Sequence, residues 1–194
     1  MLRPDYPLET DRLLLRPFRE DDLDALHDIE RRPEVTRFLY WGPRTLEEVR
    51  EALGRRTAMT SIAKEGDAIR LAADLRATGA LVGDVNLQWH SEEHRQGEIG
   101  FVVHPDHQGR GYAVESARVM LALGFDELGL HRIVGRADGR NTASETVMQR
   151  LGMRREAHLV ENEFVKGEWT DEVIYALLDR EWEQLRSRPG AKPS

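Results

Sequence analysis

The alternation of apolar and polar positions divides the chain into short elements of changing period. Glu9 to Phe18 carries the apolar run Leu13, Leu14, Leu15 and stops at Pro17, which predicts a strand. Leu23, Leu26 and Ile29 then recur at helical spacing behind an acidic first turn, so residues 20–30 read as a helix. A second helix is predicted over 45–53. Thr45 is its N-cap, Glu48 completes a capping box, and Gly54 is its stop. Three strand-like segments follow at 69–76, 80–89 and 98–103, joined by short turns. Connections that short give an antiparallel meander, not βαβ units. Beyond Gly111, residues Ala113, Val114, Ala117, Met120, Leu121 and Gly124 form one face of a helix ending near Leu128 and Gly129. A buried strand at 132–137, a helix at 142–151 closed by Gly152, and a hairpin of 163–166 with 171–178 about Gly167 complete the pattern. From Trp182 the chain turns polar. We therefore expect a single α+β domain over 1–183 and a flexible tail over 184–194.

Composition narrows the chemistry. The 194 residues contain no cysteine, which removes disulfides, Cys-ligated zinc, iron–sulfur clusters and a thiol nucleophile. The formal net charge of −7 argues against non-specific nucleic-acid binding. Only the stretch 104–155 is net positive, which suggests a small anionic ligand. No run approaches the length of a membrane span, and no apolar leader segment opens the chain, so a cytoplasmic protein is expected.

The most informative segment runs from Glu98 through Gly100, Phe101, Val102 and Val103 to the loop Gln108, Gly109, Arg110, Gly111, Tyr112 and Ala113. A strand enters a glycine-bracketed loop that opens a helix, leaving the N–H groups of 109–112 free to cradle a phosphate. Arg110, Arg136, Arg140 and Arg150 are candidate ion-pair partners for it. A Walker A loop is excluded because no Lys and no Ser/Thr stand in place. A dinucleotide fingerprint fails because Val114 replaces its third glycine and a meander precedes the loop.

Gln108-x-x-Gly111-x-Ala113 resembles the pyrophosphate loop of the GNAT N-acetyltransferase superfamily. Three further blocks carry the resemblance: the opening 9–17, the run Asn141-x-x-Ser144-x-x-Val147 leading to Leu151, Gly152 and Met153, and the ending from Gly167 through Tyr175 to Trp182. The last block is similar to the RimJ/RimL-like subgroup, which acetylates ribosomal-protein N-termini. The resemblance implies a mostly antiparallel twisted sheet of about seven strands, a splayed parallel pair (98–103 and 132–137), and about four flanking helices. It implies acetyl-CoA as co-substrate. Pantetheine would lie on the free edge near Phe101, Val102 and Val103, and pyrophosphate on the loop from Gln108 to Ala113. Asn141 would contact the cofactor near its pantetheine. It assigns the Val102 N–H to the thioester carbonyl and its oxyanion.

Amine acetylation also needs a group to accept a proton and one to settle the departing thiolate. The resemblance offers Glu98 as general base; a strand-end acid paired with an arginine is the plainer reading. His90 and Glu163 are further candidates. The family's usual tyrosine is replaced by Met148, and Ser144, three residues after Asn141, stands where the subgroup has a serine for the thiolate. That serine could also be a simple cap. His104 and His107 flank Pro105 in a turn, and no metal site is expected. Phe38, Tyr40 and Trp41 could wall an acceptor cleft; Trp89, Trp169 and Trp182 read as packing residues. Glu92, Glu93, Glu161, Glu163 and Glu168 could steer a cationic acceptor. No G-x-S-x-G elbow is present to arrange a hydrolase triad. The expected partners are acetyl-CoA and an amine, either a protein N-terminus or a small molecule, with a homodimer one assembly open to relatives. Neither nucleic acid nor membrane is expected. A non-catalytic acyl-CoA-binding module is the rival reading.

Overall fold

The structure, a computed structural model, describes residues 1–187. Its centre is one sheet of eight strands in the order β1-β2-β3-β4-β5-β6-β8-β7. These are β1 (Leu8–Glu9), β2 (Leu13–Pro17), β3 (Ala68–Leu75), β4 (Leu81–Ser91), β5 (Gln96–Val103), β6 (Arg132–Asp138), β7 (Arg154–Val165) and β8 (Glu168–Leu178). Every pairing is antiparallel except β5 on β6. Six α-helices complete the described residues: α1 (Leu23–Glu30), α2 (Pro33–Thr36), α3 (Leu46–Arg56), α4 (Tyr112–Ala122), α5 (Thr142–Arg150) and α6 (Asp179–Arg186).

Period-two alternation distributes the strands between two cores. Ile69, Leu71 and Ala73 of β3 join Val85, Leu87, Ile99, Ala117, Met120 and Tyr175 in the larger core on the α4 side. Ala72, between them, turns to the other face and packs with Phe18, Leu26, Val49 and Leu53 beneath α1 and α3. The buried Arg16 guanidinium ties β2 to β3 and to the start of α1. It donates to Asp22 at 2.7 and 2.8 Å and to Asp74 at 2.6 Å.

The fold is the mixed α+β architecture expected, with differences of physical origin. The Thr45–Glu48 capping box forms as predicted, but α3 runs through exposed Gly54 because Arg56, beyond it, is buried on the same face as Leu53. The final hairpin begins at Arg154, not 163. Two register shifts, at Arg155/Ala157 and Leu159/Glu163, break the alternation that would have marked that edge strand. Of the tail expected over 184–194, residues 184–186 belong to α6, and 188–194 lie outside the described residues. Trp182 anchors α6 by stacking on Phe125 at 5.8 Å and donating from Nε1 to Asp126 Oδ1 at 2.9 Å. No helix among the described residues is long and apolar enough to cross a membrane.

One feature of the sheet prepares the site. β5 and β6 pair only at Gln96 with Arg132, Gly97 with Ile133 and Glu98 with Val134. Beyond that point β5 stays on β4 to Val103, while β6 stays on β8 to Asp138. The parallel pair therefore parts, and an opening pierces the sheet.

Candidate active site

On the α4 and α5 side the opening leads into a groove of 430 Å³ lined by Val102, Val103, His107, Gln108, Gly109, Gly111, Tyr112, Asn141, Ser144 and Arg150, among others. Its loop is shaped by backbone constraint. Pro105–His107 form a single 3-10 turn capped by the His104 ring, which accepts from the Asp106 N–H at 3.1 Å. Gln108 turns back to donate from Nε2 to Val103 O at 3.0 Å. Gly109 and Gly111 then take φ values of +74° and +86°, in the left-handed region that glycine enters without cost. Gly111 is the N-cap of α4, so the first N–H groups of that helix open toward the groove. The Nδ1 atom of His107 is buried with no hydrogen-bond partner. Free helix N–H groups, two positive-φ glycines and an orphaned ring nitrogen fit a phosphate-bearing ligand.

A brace that periodicity could not reveal holds this loop. Glu115 of α4 accepts from Thr10 Oγ1 at 2.6 Å and from the Arg12 backbone at 2.9 Å and its Nε at 2.7 Å. Arg12 Nη1 continues to Arg110 O at 2.8 Å, and its guanidinium lies 4.8 Å from the Tyr112 ring centre. Of the four arginines expected around the phosphates, Arg110 lies in the loop and Arg150 lines the groove. The other two are engaged elsewhere: Arg136 with Glu98 and Glu172, Arg140 with Asp138 and Glu168.

The register also corrects which edge groups face the opening. His104 N–H donates to Val82 O at 2.8 Å, and the ladder of β4 on β5 continues without a shift from Val103 back to Gly97. Backbone groups alternate sides along a strand, so the N–H of Val102 belongs to the β4 ladder. The N–H groups of Phe101 and Val103 point to the open edge instead. Val102 therefore lines the opening while its N–H is directed to the β4 ladder, away from the role expected of it. Where Val103 pairs with Gly83, the strands approach so closely that a Cβ on Gly83 would stand 2.2 Å from Val102 O.

On the opposite face lies a cleft of 250 Å³. It shares Phe38, Leu39, Phe101, Val102, Asn141 and Ser144 with the groove, so the two meet at the opening. Glu98 lines this cleft, with Arg136 Nε at 3.2 Å and His90 Nε2 at 3.7 Å. Burial raises its carboxyl above the ordinary glutamate range, against the lowering pull of His90 and Arg136. Glu163 lines the cleft too, as do Phe38, Tyr40 and Trp41, whereas Glu92 and Glu93 do not. Asn141 caps α5, accepting from the Ser144 N–H at 3.1 Å, while Ser144 Oγ has no partner among the described residues. Met148 is buried beneath Gly135, where it fills core space.

Three cleft residues escaped the reading of the sequence. Glu172, 3% exposed, accepts from Arg136 at 3.3 Å and from Asn162 at 3.1 Å. Arg70 of β3 and Asn86 of β4 are the other two. Arg70 is an isolated charge among the apolar residues of its strand, whereas Glu172 follows Asp171 and Asn86 alternates with Asp84 and Gln88, a pattern that reads as an ordinary polar face. Among the set-aside residues, His104 holds Asp28 at 2.8 Å, and no cluster of metal-ligating side chains occurs among the described residues. Trp169 is not a packing residue: it is 60% exposed beside Phe164 on the β7–β8 hairpin.

A family model described as an acetyltransferase (GNAT) domain matches residues 12–154. The chain is 33% identical over 175 residues to N-acetyltransferase YnaD of Bacillus subtilis (strain 168), itself uncharacterized, across 90% of this chain and 98% of that one. It is similar to the crystal structure of an acetyltransferase (GNAT family) from Bacillus anthracis, with TM-score 0.81 and 32% identity over 90% of this chain and 99% of that chain. Spermidine N-acetyltransferase from Vibrio cholerae, solved with CoA and spermine, superposes with TM-score 0.74 at 23% identity, over 90% of this chain and 99% of that one. At that identity the likeness is one of fold. The split sheet, the glycine loop and these matches converge: the chain belongs to the GNAT family and is an acetyl-CoA-dependent N-acetyltransferase.

Proposed function

We propose that the chain acetylates the primary amine of a small molecule by direct attack in a ternary complex, with Glu98 as general base and Ser144 as donor to the departing sulfur. The observation that carries this is the meeting of the two cavities at one opening, with Glu98 on the acceptor side and Ser144 and Asn141 at the junction. When bound, acetyl-CoA supplies the activated acetyl thioester.

The residues of this chain divide the remaining work. The loop 108–113 and the α4 N-terminus receive the phosphates, and the open-edge N–H groups of Phe101 and Val103 receive the pantetheine and the acyl oxygen. An amine arrives mostly protonated, so its proton must leave before nitrogen can attack. Glu98, its carboxyl raised by burial, takes that proton more readily than a solvated carboxylate. As the C–N bond forms and the C–S bond breaks, the Ser144 hydroxyl donates a hydrogen bond to the thiolate. The volume of the cleft and its acids Glu98, Glu163 and Glu172 support a small cationic acceptor.

The test is thiol release on mixing acetyl-CoA with a panel of small amines beside peptides of differing N-termini. Release with small amines supports the reading. Release with peptides alone would transfer it to protein N-termini, the RimJ/RimL-like activity. Coenzyme binding with no release across the panel would return the chain to a non-catalytic acyl-CoA-binding module.

A further inference from the structure

We infer that the acceptor amine carries an anionic group, an amino-acid-type carboxylate, received by Arg70 and Asn86 across the gap left by Gly100. This inference rests on the acceptor cleft being the one proposed above and names the class of amine that fits it.

A chain of charges runs from the α1–α3 layer into the cleft. Arg44 donates to Glu30 at 2.8 Å, Glu30 also binds Arg56, Arg56 Nη1 lies 3.5 Å from Asp84, and Arg70 Nη2 reaches both Asp84 oxygens at 2.9 and 3.0 Å. Signs alternate along it: three guanidiniums against two carboxylates. Glu30, Asp84 and Arg56 are almost wholly buried, so the excess positive charge is poorly screened by water. Arg70, at the cleft end, is the member through which that excess meets a ligand.

Hydrogen bonding points the same way. Three buried side-chain polar atoms lack a partner among the described residues, and two belong to this chain of charges: Arg56 Nη1 and Arg70 Nε. The third is Nδ1 of His107, a residue that lines the groove on the α4 side. Arg70 engages Asp84 through Nη2 alone, leaving Nη1 as well as Nε without a protein acceptor. The Asn86 amide likewise makes no hydrogen bond among the described residues. A guanidinium with two unpaired nitrogens beside a free amide is suited to a carboxylate.

Register fixes how such a ligand would lie. Arg70 pairs with Asn86, and Asn86 with Gly100, in one row across the sheet ending at the opening. A Cβ at Gly100 would stand 2.7 Å from Asn86 Oδ1, so glycine keeps the row low beside the point of transfer. Two strand spacings, about 10 Å, separate the backbones of Arg70 and Gly100. The long Arg70 side chain spans much of that distance. What remains suits an amine and a carboxylate a few bonds apart. The far wall has the opposite excess: Glu98 and Glu172 share the guanidinium of Arg136, with the His90 ring beside Glu98, and Glu163 adds a further acid. A zwitterion matches both walls, whereas a linear polyamine would bring a cation against Arg70.

The experiment measures kcat and KM of the wild-type protein for matched triplets: an amino acid, its carboxamide, and the amine lacking the carboxyl. Spermidine and peptides with acidic or amide first side chains form separate arms, which distinguish a small amino acid from an acidic polypeptide N-terminus. A charge-assisted pair predicts a carboxylate-to-carboxamide ratio of kcat/KM of about ten- to hundredfold, carried by KM. In Arg70→Gln the ratio should fall to near one, and Arg70→Lys should keep part of it. Equal rates for carboxylate and carboxamide in the wild type, or an unchanged ratio in Arg70→Gln, would overturn the inference. If no amine is turned over although coenzyme binds, the enzymatic reading of the cleft fails. Calorimetry of an N-acetyl amino acid against its amide, on CoA-loaded protein, then decides the anion site separately. Tighter carboxylate binding lost in Arg70→Gln supports it, and equal or absent binding overturns it.

Discussion

Gly83 offers a direct test of how the opening is built. Its would-be Cβ lies 2.2 Å from Val102 O and 3.1 Å from Val103 Cα, both backbone atoms that no side-chain rotation can move. Ordinary contact begins at 3.4 Å, so in Gly83→Ala β5 must retreat from β4 by about 1.2 Å. That retreat strains the pairs Gly83–Val103 and Asp84–Val102, where two ladder bonds contribute about 0.5–1.5 kcal/mol each. Overpacking adds about 1–3 kcal/mol. With partial relaxation the loss is about 2–4 kcal/mol, a fall in Tm of roughly 5–15 °C for a chain this size. The functional cost should be larger. The displaced residues carry the edge N–H groups proposed to receive the acyl oxygen, and a shift of about 1 Å at such groups lowers turnover about a hundredfold. Calorimetric melting, titration with coenzyme A and thiol-release kinetics measure these effects together. Gly54→Ala, on the exposed side of α3 with nothing within 4 Å, is the control and should melt no lower than wild type. A Gly83→Ala protein with unchanged Tm would refute the close approach. One that melts lower but keeps kcat and coenzyme affinity would refute the role given to the β5 edge.

Glu98→Gln should lower kcat/KM about 10²–10⁴-fold. Because burial raises the Glu98 carboxyl, the wild-type rate should climb with pH through a step above the ordinary glutamate range, and in Glu98→Gln that step should vanish from the pH profile. Ser144→Ala should lower turnover with little change in coenzyme affinity by calorimetry; unchanged kcat would remove Ser144 from the mechanism. Gly111→Ala places a side chain at φ +86°, a conformation that costs roughly 1–2 kcal/mol, so coenzyme A should bind about five- to thirtyfold more weakly. Arg16→Met leaves Asp22 and Asp74 buried face to face and should cost about 3–5 kcal/mol by denaturant melting. That deficit should shrink as pH falls, since carboxyls raised in the folded state bind more protons there than in the unfolded chain.

What could be read from the sequence was what local chemistry constrains. The loop from Gln108 to Ala113 was legible because a tight turn into a helix leaves few backbone solutions, and glycines at 109 and 111 mark the positive φ they require. The helices carried their own signals in Thr45, Glu48, Asn141 and Gly152. Contacts between distant residues left no such trace. Arg12 meets Glu115 and Arg110 across about a hundred positions, and Trp182 finds Phe125 across more than fifty. Register was equally hidden: whether Val102 or its neighbours turn an N–H to the opening depends on how His104 meets Val82. The basic stretch 104–155 misled for the same reason. Arg136 and Arg140 share it with Arg110 but stand among the carboxylates of the acceptor side, since β6 and the turn after it deliver them there.

The alternation of a single strand explains how one opening serves two substrates. Along β5, Ile99 and Phe101 turn their side chains to the larger core, while Glu98 turns its carboxylate to the cleft on the other face and Gly100 leaves room there. The same pleat directs the N–H groups of 98, 100 and 102 to β4 and those of 101 and 103 to the opening. In the proposed reaction side chains thus meet the acceptor while backbone groups meet the coenzyme, and the two sets of contacts do not compete for the same atoms. Acceptor preference can accordingly change through positions 70, 86, 98 and 100 without altering the coenzyme's edge. A substitution that moves the strand itself, as at Gly83, must disturb both.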